Sequence, residues 1–455
     1  RRQPTNNREV RAYDANGPTE FDIRQYQIER WNNGLFGGIE VAASPYLRLF
    51  AKGIFTEFND DEQRNQYEFR LSNAASGTRT MESGDLVRVP LRGSFNYGEY
   101  RNRNYIGTLG GDYKDDDGLT AALRLNYTKT KNSTYLPLVQ ASTSGLASPS
   151  LTYDNSDPRF PIVTLYSTVN NGGAPARGTL LSESNQGILS PAGAYMLDGR
   201  QKTTADAYTA KFDAAKEFEG GLTVKGGLYY ADRKIEGNNL SISNIAALGA
   251  LGSAVGQPFD INSYVTGKPW DTQFPLGVTL NYVDNRAMRA DIDSLLGALE
   301  EAGLFDPAAS IPAADLYDQK ERTLAGYAMI QAELGALTVN GGLRVENYRM
   351  INRGTANIGG VLTPLATSRE YTDLFPSLNL RYKASDNLVL RLAGQRGVSR
   401  PAYGAVRVGA SINDTTSPGE IGGGNPALVP EYTWGADASI EYYLPRNGIL
   451  SVPGF

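Results

Sequence analysis

The chain has 455 residues, about 40% of them apolar, with 50 glycines, 27 tyrosines and a mean hydropathy of −0.37, which is poor material for large helical cores and rich material for strands and turns. Its 44 basic and 49 acidic residues leave a net charge of −5, so no basic footprint points to nucleic acid as a partner. Cysteine and histidine are both absent, which excludes disulfides, thiolate or imidazole metal sites, imidazole-held haem and the Ser-His and Cys-His pairs of common hydrolases.

No apolar run reaches the roughly eighteen residues of a transmembrane helix, yet barrel strands escape hydropathy because every second residue is polar. Residues 1–17 read as a polar loop or weak strand, with no signal peptide or domain before them, so the chain reads as part of something longer. Strand-like runs at 18–31, 35–43 and 46–58 are set apart by Asn32-Asn33-Gly34 and Ser44-Pro45, the chemistry of tight hairpins. The third puts Leu47, Leu49, Ala51 and Phe55 against Arg48, Lys52 and Thr56, with Phe50 and Ile54 blurring the polar face. An acidic bend at 59–62 and weaker strands near 66–71 and 86–97 follow.

Residues 104–113 and 119–131 form the clearest early hairpin, alternating Leu119, Ala121, Leu123, Leu125 and Tyr127 with Thr120, Arg124, Asn126 and Thr128. The acidic run before Gly118 is the hairpin turn; a calcium loop would need an acid where Tyr113 stands. A loop is expected over 132–200, a hairpin over 205–231, and a second loop over 236–318. Within the latter, Ile292, Leu295, Leu296 and Leu299 predict a short loop helix over 291–302 that packs on neighbouring loops, stopped by Gly303, whereas 246–255 reads as flexible loop.

A further hairpin joins 322–332 to 337–349. Then Leu378, Leu380 and Tyr382 oppose Arg381 and Lys383; Leu388, Leu390 and Leu392 oppose Arg391; and Trp434, Ala436, Ala438, Ile440 and Tyr442 oppose Asp437 and Glu441. One face is too charged for a sandwich core, and short turns alternate with long loops. Both features predict an all-β fold, a transmembrane antiparallel β-barrel with short periplasmic turns and long extracellular loops. Leu123, Leu125, Leu388, Leu390 and Ile440 are then expected to face lipid, and Arg124, Arg391 and Glu441 to face inward.

Four segments in one order, Phe-Pro-Ser-Leu-Asn-Leu-Arg-Tyr at 375–382, Asn-Leu-Val-Leu-Arg-Leu at 387–392, Ser399-Arg400-Pro401, and Gly424-Asn425-Pro426-Ala-Leu-Val-Pro430-Glu431, resemble the barrel signature of TonB-dependent outer-membrane receptors. Val429 stands where that family usually has Lys. The resemblance implies a barrel of about twenty-two strands, of which about fourteen are countable here, so residues 1–455 are expected to be a partial barrel domain with the plug domain and C-terminal strands not seen in this sequence. It also implies a Gram-negative outer membrane, lipid and TonB as partners, TonB being reached through an unseen plug segment that carries the TonB box, and active uptake of a small ligand. No cofactor and no enzymatic activity are expected.

Ligand-contact candidates are the inward Arg124, Arg344, Arg381 and Arg391, which could instead pair with acids of a plug, and the loop aromatics Tyr135, Tyr153, Tyr264 and Trp270, which could instead serve loop packing. A ferric siderophore or a carbohydrate is the expected ligand, and haem is disfavoured for want of histidine. A passive porin or adhesin is the other reading. The loop 402–424 is expected to hinge over ligand, its feet stiffened by Pro401 and Pro426 and its middle freed by Gly409, Gly419, Gly422, Gly423 and Gly424.

Overall fold

The computed structural model describes residues 6–159, 161–181, 193–269, 280–358, 360–413, 418–446 and 448–455. Among them, thirteen strands form the path of one antiparallel wall. In order these are Asn6–Asp14, Gly17–Ala42, Leu47–Phe69, Leu91–Lys114, Leu119–Ser142, Tyr195–Phe218, Leu222–Asn238, Leu316–Leu334, Leu337–Ile358, Val361–Lys383, Leu388–Ser399, Glu431–Leu444 and Gly448–Gly454. The turns at one end are short, at 43–46, 115–118, 219–221, 335–336 and 384–387, while the other end carries the long excursions 70–90, 143–194, 239–315 and 400–430, together with short links after Asp14 and after Ile358. Asp115 builds one short turn, its carboxylate accepting the N–H groups of Asp117 (3.0 Å) and Leu119 (2.8 Å).

Strand pairing keeps one register along the central strands, so side-chain alternation is preserved from end to end. Leu109 stands opposite Leu125, Phe212 opposite both Leu123 and Leu228, Val345 opposite Leu374, and Leu390 opposite Ile440. These share one face, and Leu109, Leu125, Phe212, Leu228, Leu374 and Ile440 are exposed. Leu123 is exposed there too, while Leu388 and Leu390 are half-buried on the same face. The other face holds charge: Asp112 is paired with Arg124 and, at 3.2 Å, with Arg48, while Arg391 reaches Glu441 at 2.8 Å. A band of exposed aliphatics this continuous is unsustainable in water and is the wall a bilayer requires. Phe50, which disturbed the alternation in sequence, lies on the charged face with Arg124 and Lys52 stacked over its ring at 4.9 and 4.8 Å.

The strands are too long for lipid alone. Leu91–Lys114 and Leu119–Ser142 have 24 residues each, roughly 80 Å of chain, where about ten residues cross a bilayer. Past the band, the same face turns aromatic and then charged, and finally carries Phe21, Ile23, Tyr67, Phe69, Phe95, Val139 and Met196, all buried. The long excursions cover them. One cover element is a five-stranded sheet (Ser76–Arg79, Ser83–Val87, Ser150–Asp154, Ile162–Asn171, Ala174–Leu180), whose Tyr153 meets Phe21 edge to face at 5.4 Å. Another is helix α2 (Asn285–Glu301), with Met288, Ile292, Leu295, Leu296 and Leu299 in the same core.

Several local expectations change. Asn32, Asn33 and Gly34 lie within one strand, Gly17–Ala42, where Asn33 donates to Glu57 across the ladder at 3.2 Å. The acidic residues 59–62 do not bend the chain, because Arg30 at 2.5 Å from Asp60 and Arg101 at 2.6 Å from Asp61 neutralise them within the pairing. The segments 132–142 and 195–200 are strand, not loop. The loop helix begins earlier than its apolar spacing indicated, since the Asp284 carboxylate caps the N–H groups of Arg286 (3.1 Å) and Ala287 (3.0 Å); Gly303, at φ +69°, follows its end. Within 246–255, a short helix α1 (Leu248–Ala254) forms around buried Leu248.

An arginine placed on the apolar band should cost about 2–4 kcal/mol at mid-membrane. Leu125→Arg is expected to lower urea stability in lipid vesicles by that amount. Ala122→Arg, three residues away on the opposite face and flanked across the strands by Asp112 and Asp213, should stay within about 1 kcal/mol.

Candidate functional site

The charged inner face gathers its densest network where the excursion 400–430 folds against the wall. Alternation places Arg344, Glu346, Tyr348, Met350 and Asn352 of one strand on this face, beside Gln319 and Glu321 of the preceding one. Glu321 accepts hydrogen bonds from the hydroxyls of Tyr348 (2.7 Å) and Tyr403, and Arg233 lies 3.4 Å away while donating to the Tyr403 oxygen at 2.7 Å. Burial, and then the Glu321 carboxylate, push the Tyr403 phenol up to about 12. Gln319 donates to the Tyr403 carbonyl at 2.9 Å and to Asn352 at 2.7 Å, and Asn352 donates to the Val406 carbonyl.

The signature residues meet at this place. Ser399 ends one strand and pairs with Glu431, which begins the next. Arg400 bonds Glu346 at 2.7 Å, on the carboxylate that also holds Arg344 at 2.6 Å, and its guanidinium stacks on Tyr348 at 4.1 Å. Pro401, Pro426 and Pro430 line a small cleft with Tyr348, Met350 and Arg369. The Asn425 N–H donates to the Ala405 carbonyl at 2.7 Å, and its side chain accepts from the Ala427 N–H at 2.9 Å.

The glycines of this excursion serve close packing where free hinging was expected. A Cβ on Gly424 would fall 2.5 Å from the Arg407 carbonyl oxygen, and one on Gly409 would fall 2.2 Å from that of Ala314. The strand Ala410–Asn413 extends the wall by pairing in parallel with residues 356–358, and Glu420–Gly423 pairs with it. Part of this loop, 414–417, lies outside the described residues.

The other candidates scatter. Arg124 is held by Asp112, Arg344 by Glu346 and Arg391 by Glu441. Arg381 stands directly opposite Arg391 and, among the described residues, has no acid partner. Tyr135 lies on the outer face with Arg200 and Arg289 stacked on its ring at 4.5 and 4.2 Å. Tyr153 is in the core of the five-stranded sheet and donates to the Thr80 carbonyl at 2.6 Å. Tyr264 packs on Phe259 and donates to Asp291 of α2 at 2.7 Å; burial, then that carboxylate, raise its phenol. Trp270 lies outside the described residues. Sequence reasoning missed Glu321, Tyr348 and Tyr403. The first two alternate in phase with Arg344, and Tyr403 follows Pro401 by two residues, so strand phase was the available signal.

The family model described as TonB dependent receptor-like, beta-barrel, matches residues 152–455. No curated protein matches the chain. Among solved structures the chain is similar to the ferric yersiniabactin uptake receptor from Yersinia pestis, with 9% identity and a TM-score of 0.36 over 93% of this chain and 49% of that one. It therefore spans about half the length of that receptor.

Glu321→Ala removes one acceptor shared by two phenols and a guanidinium, a loss of about 1–3 kcal/mol. Hydrogen exchange at residues 403–408 should speed up by roughly tenfold or more, with the exchange of 378–382 unchanged.

Proposed function

Because the chain belongs to the TonB-dependent receptor-like β-barrel family, a family of outer-membrane transporters, we propose that it is the barrel part of a receptor in a Gram-negative outer membrane that captures a scarce extracellular ligand and imports it with energy delivered by TonB. The observation that carries this reading is the two-faced wall: exposed aliphatics on one side, paired charges on the other, and a polar excursion pinned to the inner face through Arg400, Tyr403 and the Asn352 bond to the Val406 carbonyl. In a receptor so tethered a segment supplies a fixed rim on which ligand and plug can meet.

Among the described residues no pairing joins the first strand of the wall to the last, and a strand edge left unpaired in hydrocarbon is costly. The proposal therefore includes further strands that close the barrel, and a plug within it that carries the TonB-contacting segment. Of the four arginine candidates, Arg381 is the one left to pair with an acid of that plug or with an anionic ligand, since Arg124, Arg344 and Arg391 are already neutralised. The ligand is a ferric siderophore or a carbohydrate; haem is disfavoured because the chain has no histidine.

Uptake of radiolabelled ferric hydroxamates, ferric catecholates and oligosaccharides by cells with and without the gene tests this reading. Gene-dependent uptake of one class, abolished when TonB is deleted or the proton gradient is collapsed, is expected. Gene-dependent uptake that persists in both conditions would establish the passive pore. Arg381→Ala should lower the energised uptake severalfold, and Lys211→Ala should leave it unchanged.

A further inference from the structure

The hairpin of Leu337–Ile358 and Val361–Lys383 stands higher than the strand that follows it. Leu388–Ser399 pairs with its second strand only over residues 377–383. Residues 361–376 therefore have a neighbouring strand on one side and, among the described residues, none on the other. Exposed Leu374 of the apolar band fixes the height, and the residues before it rise past the band on the side of the long excursions.

Strand phase decides which peptide groups are open. The Lys383 N–H donates to the Ala336 carbonyl at 2.9 Å, toward the preceding strand, whereas the Leu374 carbonyl points the other way and accepts from Arg396 at 2.7 Å. The N–H and C=O of one strand residue point to the same side and change sides at the next residue, and the pairing with 337–358 has no slip. The even-numbered residues thus offer their N–H and C=O to the open side. Pro364 and Pro376 are both even, so neither costs the ladder a donor. Pro364 limits the open strip above and Arg396 limits it below. Between them stand the peptide groups of Ala366, Ser368, Glu370 and Thr372, all exposed, over roughly 25 Å of chain.

The strip borders a cleft. Tyr371 stands opposite Tyr348 on the inner face, and Thr367, Arg369 and Tyr371 share this cleft with Pro426, Leu428 and Pro430 of the pinned excursion. Arg369 is exposed and, among the described residues, has no acid partner. Each feature selects an occupant. Donors and acceptors repeated at the two-residue spacing of a strand are matched by another extended backbone. The guanidinium of Arg369 calls for a carboxylate directly opposite, since facing residues of paired strands share one side. The proline and leucine wall favours apolar side chains two residues away on that side.

Building on the outer-membrane reading, which sets this rim outside the cell, we propose that the strip binds an extended segment of another protein as an added antiparallel strand of about seven residues. Its central residue is acidic and faces Arg369, and its apolar side chains lie against Leu428 and the prolines.

The probe is acetyl-Val-Thr-Val-Thr-Glu-Thr-Val-Thr-Val-amide with a fluorophore, titrated with the intact protein in detergent and followed by polarisation. Amide exchange over 365–373 is read with and without it. Saturable binding is expected, with exchange there slowed roughly tenfold or more, and Lys in place of the probe's Glu should weaken binding roughly tenfold. Arg369→Glu should reverse that preference. N-methylation of the two threonines flanking the glutamate, whose N–H groups face the strip, should abolish binding, while N-methylation of the next valines out should leave it. Ser368→Pro, acceptable on an open edge as Pro364 is, should weaken binding roughly fivefold. Heat-modifiable migration verifies the fold of each variant; where one fails, the two N-methylated probes test the strip on the unaltered protein. Absence of saturable binding, or equal binding of the two N-methylated probes, would overturn the proposal. So would slow exchange over 365–373 before any probe is added, because another segment of this chain or a second copy would then already cover the edge. Probe binding needs neither TonB nor a transported ligand, so absent uptake with intact probe binding would refute transport alone, and energised uptake without probe binding would refute the strip alone.

Discussion

In hydrocarbon no water is available to satisfy a peptide group, so each wall strand must exchange all its hydrogen bonds with its neighbours. The register that does so runs without a break over 22 pairs between Leu119–Ser142 and Tyr195–Phe218. A single slip would carry every leucine of the band to the charged side. Continuous pairing therefore fixes what each face can be along its whole length, and the side chains differ because the medium does. On the outer face, Leu125, Tyr127, Lys129 and Lys131 pass in four alternate positions from aliphatic to aromatic to charged. Phe95 and Val139 then need protein over them, and the excursions supply it.

The inner face solves the opposite problem. Charges held against a wet or plugged lumen are tolerable where each finds a partner, and most do within a strand or two of themselves, as Asp112 does with Arg124 and Glu346 with Arg344. Arg400 uses Glu346, and Tyr403 uses Glu321, to hold the excursion to which they belong. The signature sequence thereby acquires a physical meaning. Ser399 and Glu431 close the strand pair, Arg400 inserts into an existing ion pair, Gly424 allows a backbone to pass a backbone, and Asn425 fixes the return.

Much of the wall was legible in the sequence because period-two alternation survives wherever one face is lipid. The hairpin turns at Asp115 and at Gly220-Gly221, and the inward phase of Arg124 and Arg391, all follow from it. What was illegible lies where alternation no longer separates lipid from water. Residues 132–142 look like loop because Pro137, Ser133 and Gln140 dilute the pattern, yet 132–140 pair without a break with 195–203. Asn32-Asn33-Gly34 carries turn chemistry that the partner strand overrides. Tyr135, Tyr153 and Tyr264 were recognisable as important aromatics, but whether an aromatic ring is offered to a ligand or buried under a cover depends on segments distant in sequence, such as α2 and the strand Ser150–Asp154.

The central claim is that one face of this wall meets lipid and the other meets water. The absence of native cysteine makes it directly measurable. Single cysteines at each position from 121 to 128 can carry nitroxide labels in reconstituted bilayers, and their collision rates with oxygen and with a water-soluble nickel chelate report the phase around each site. A strict period of two is predicted, with oxygen favoured at 121, 123 and 125 and the nickel chelate favoured at 122, 124 and 126. A flat profile, or leucine positions accessible to the nickel chelate, would contradict it.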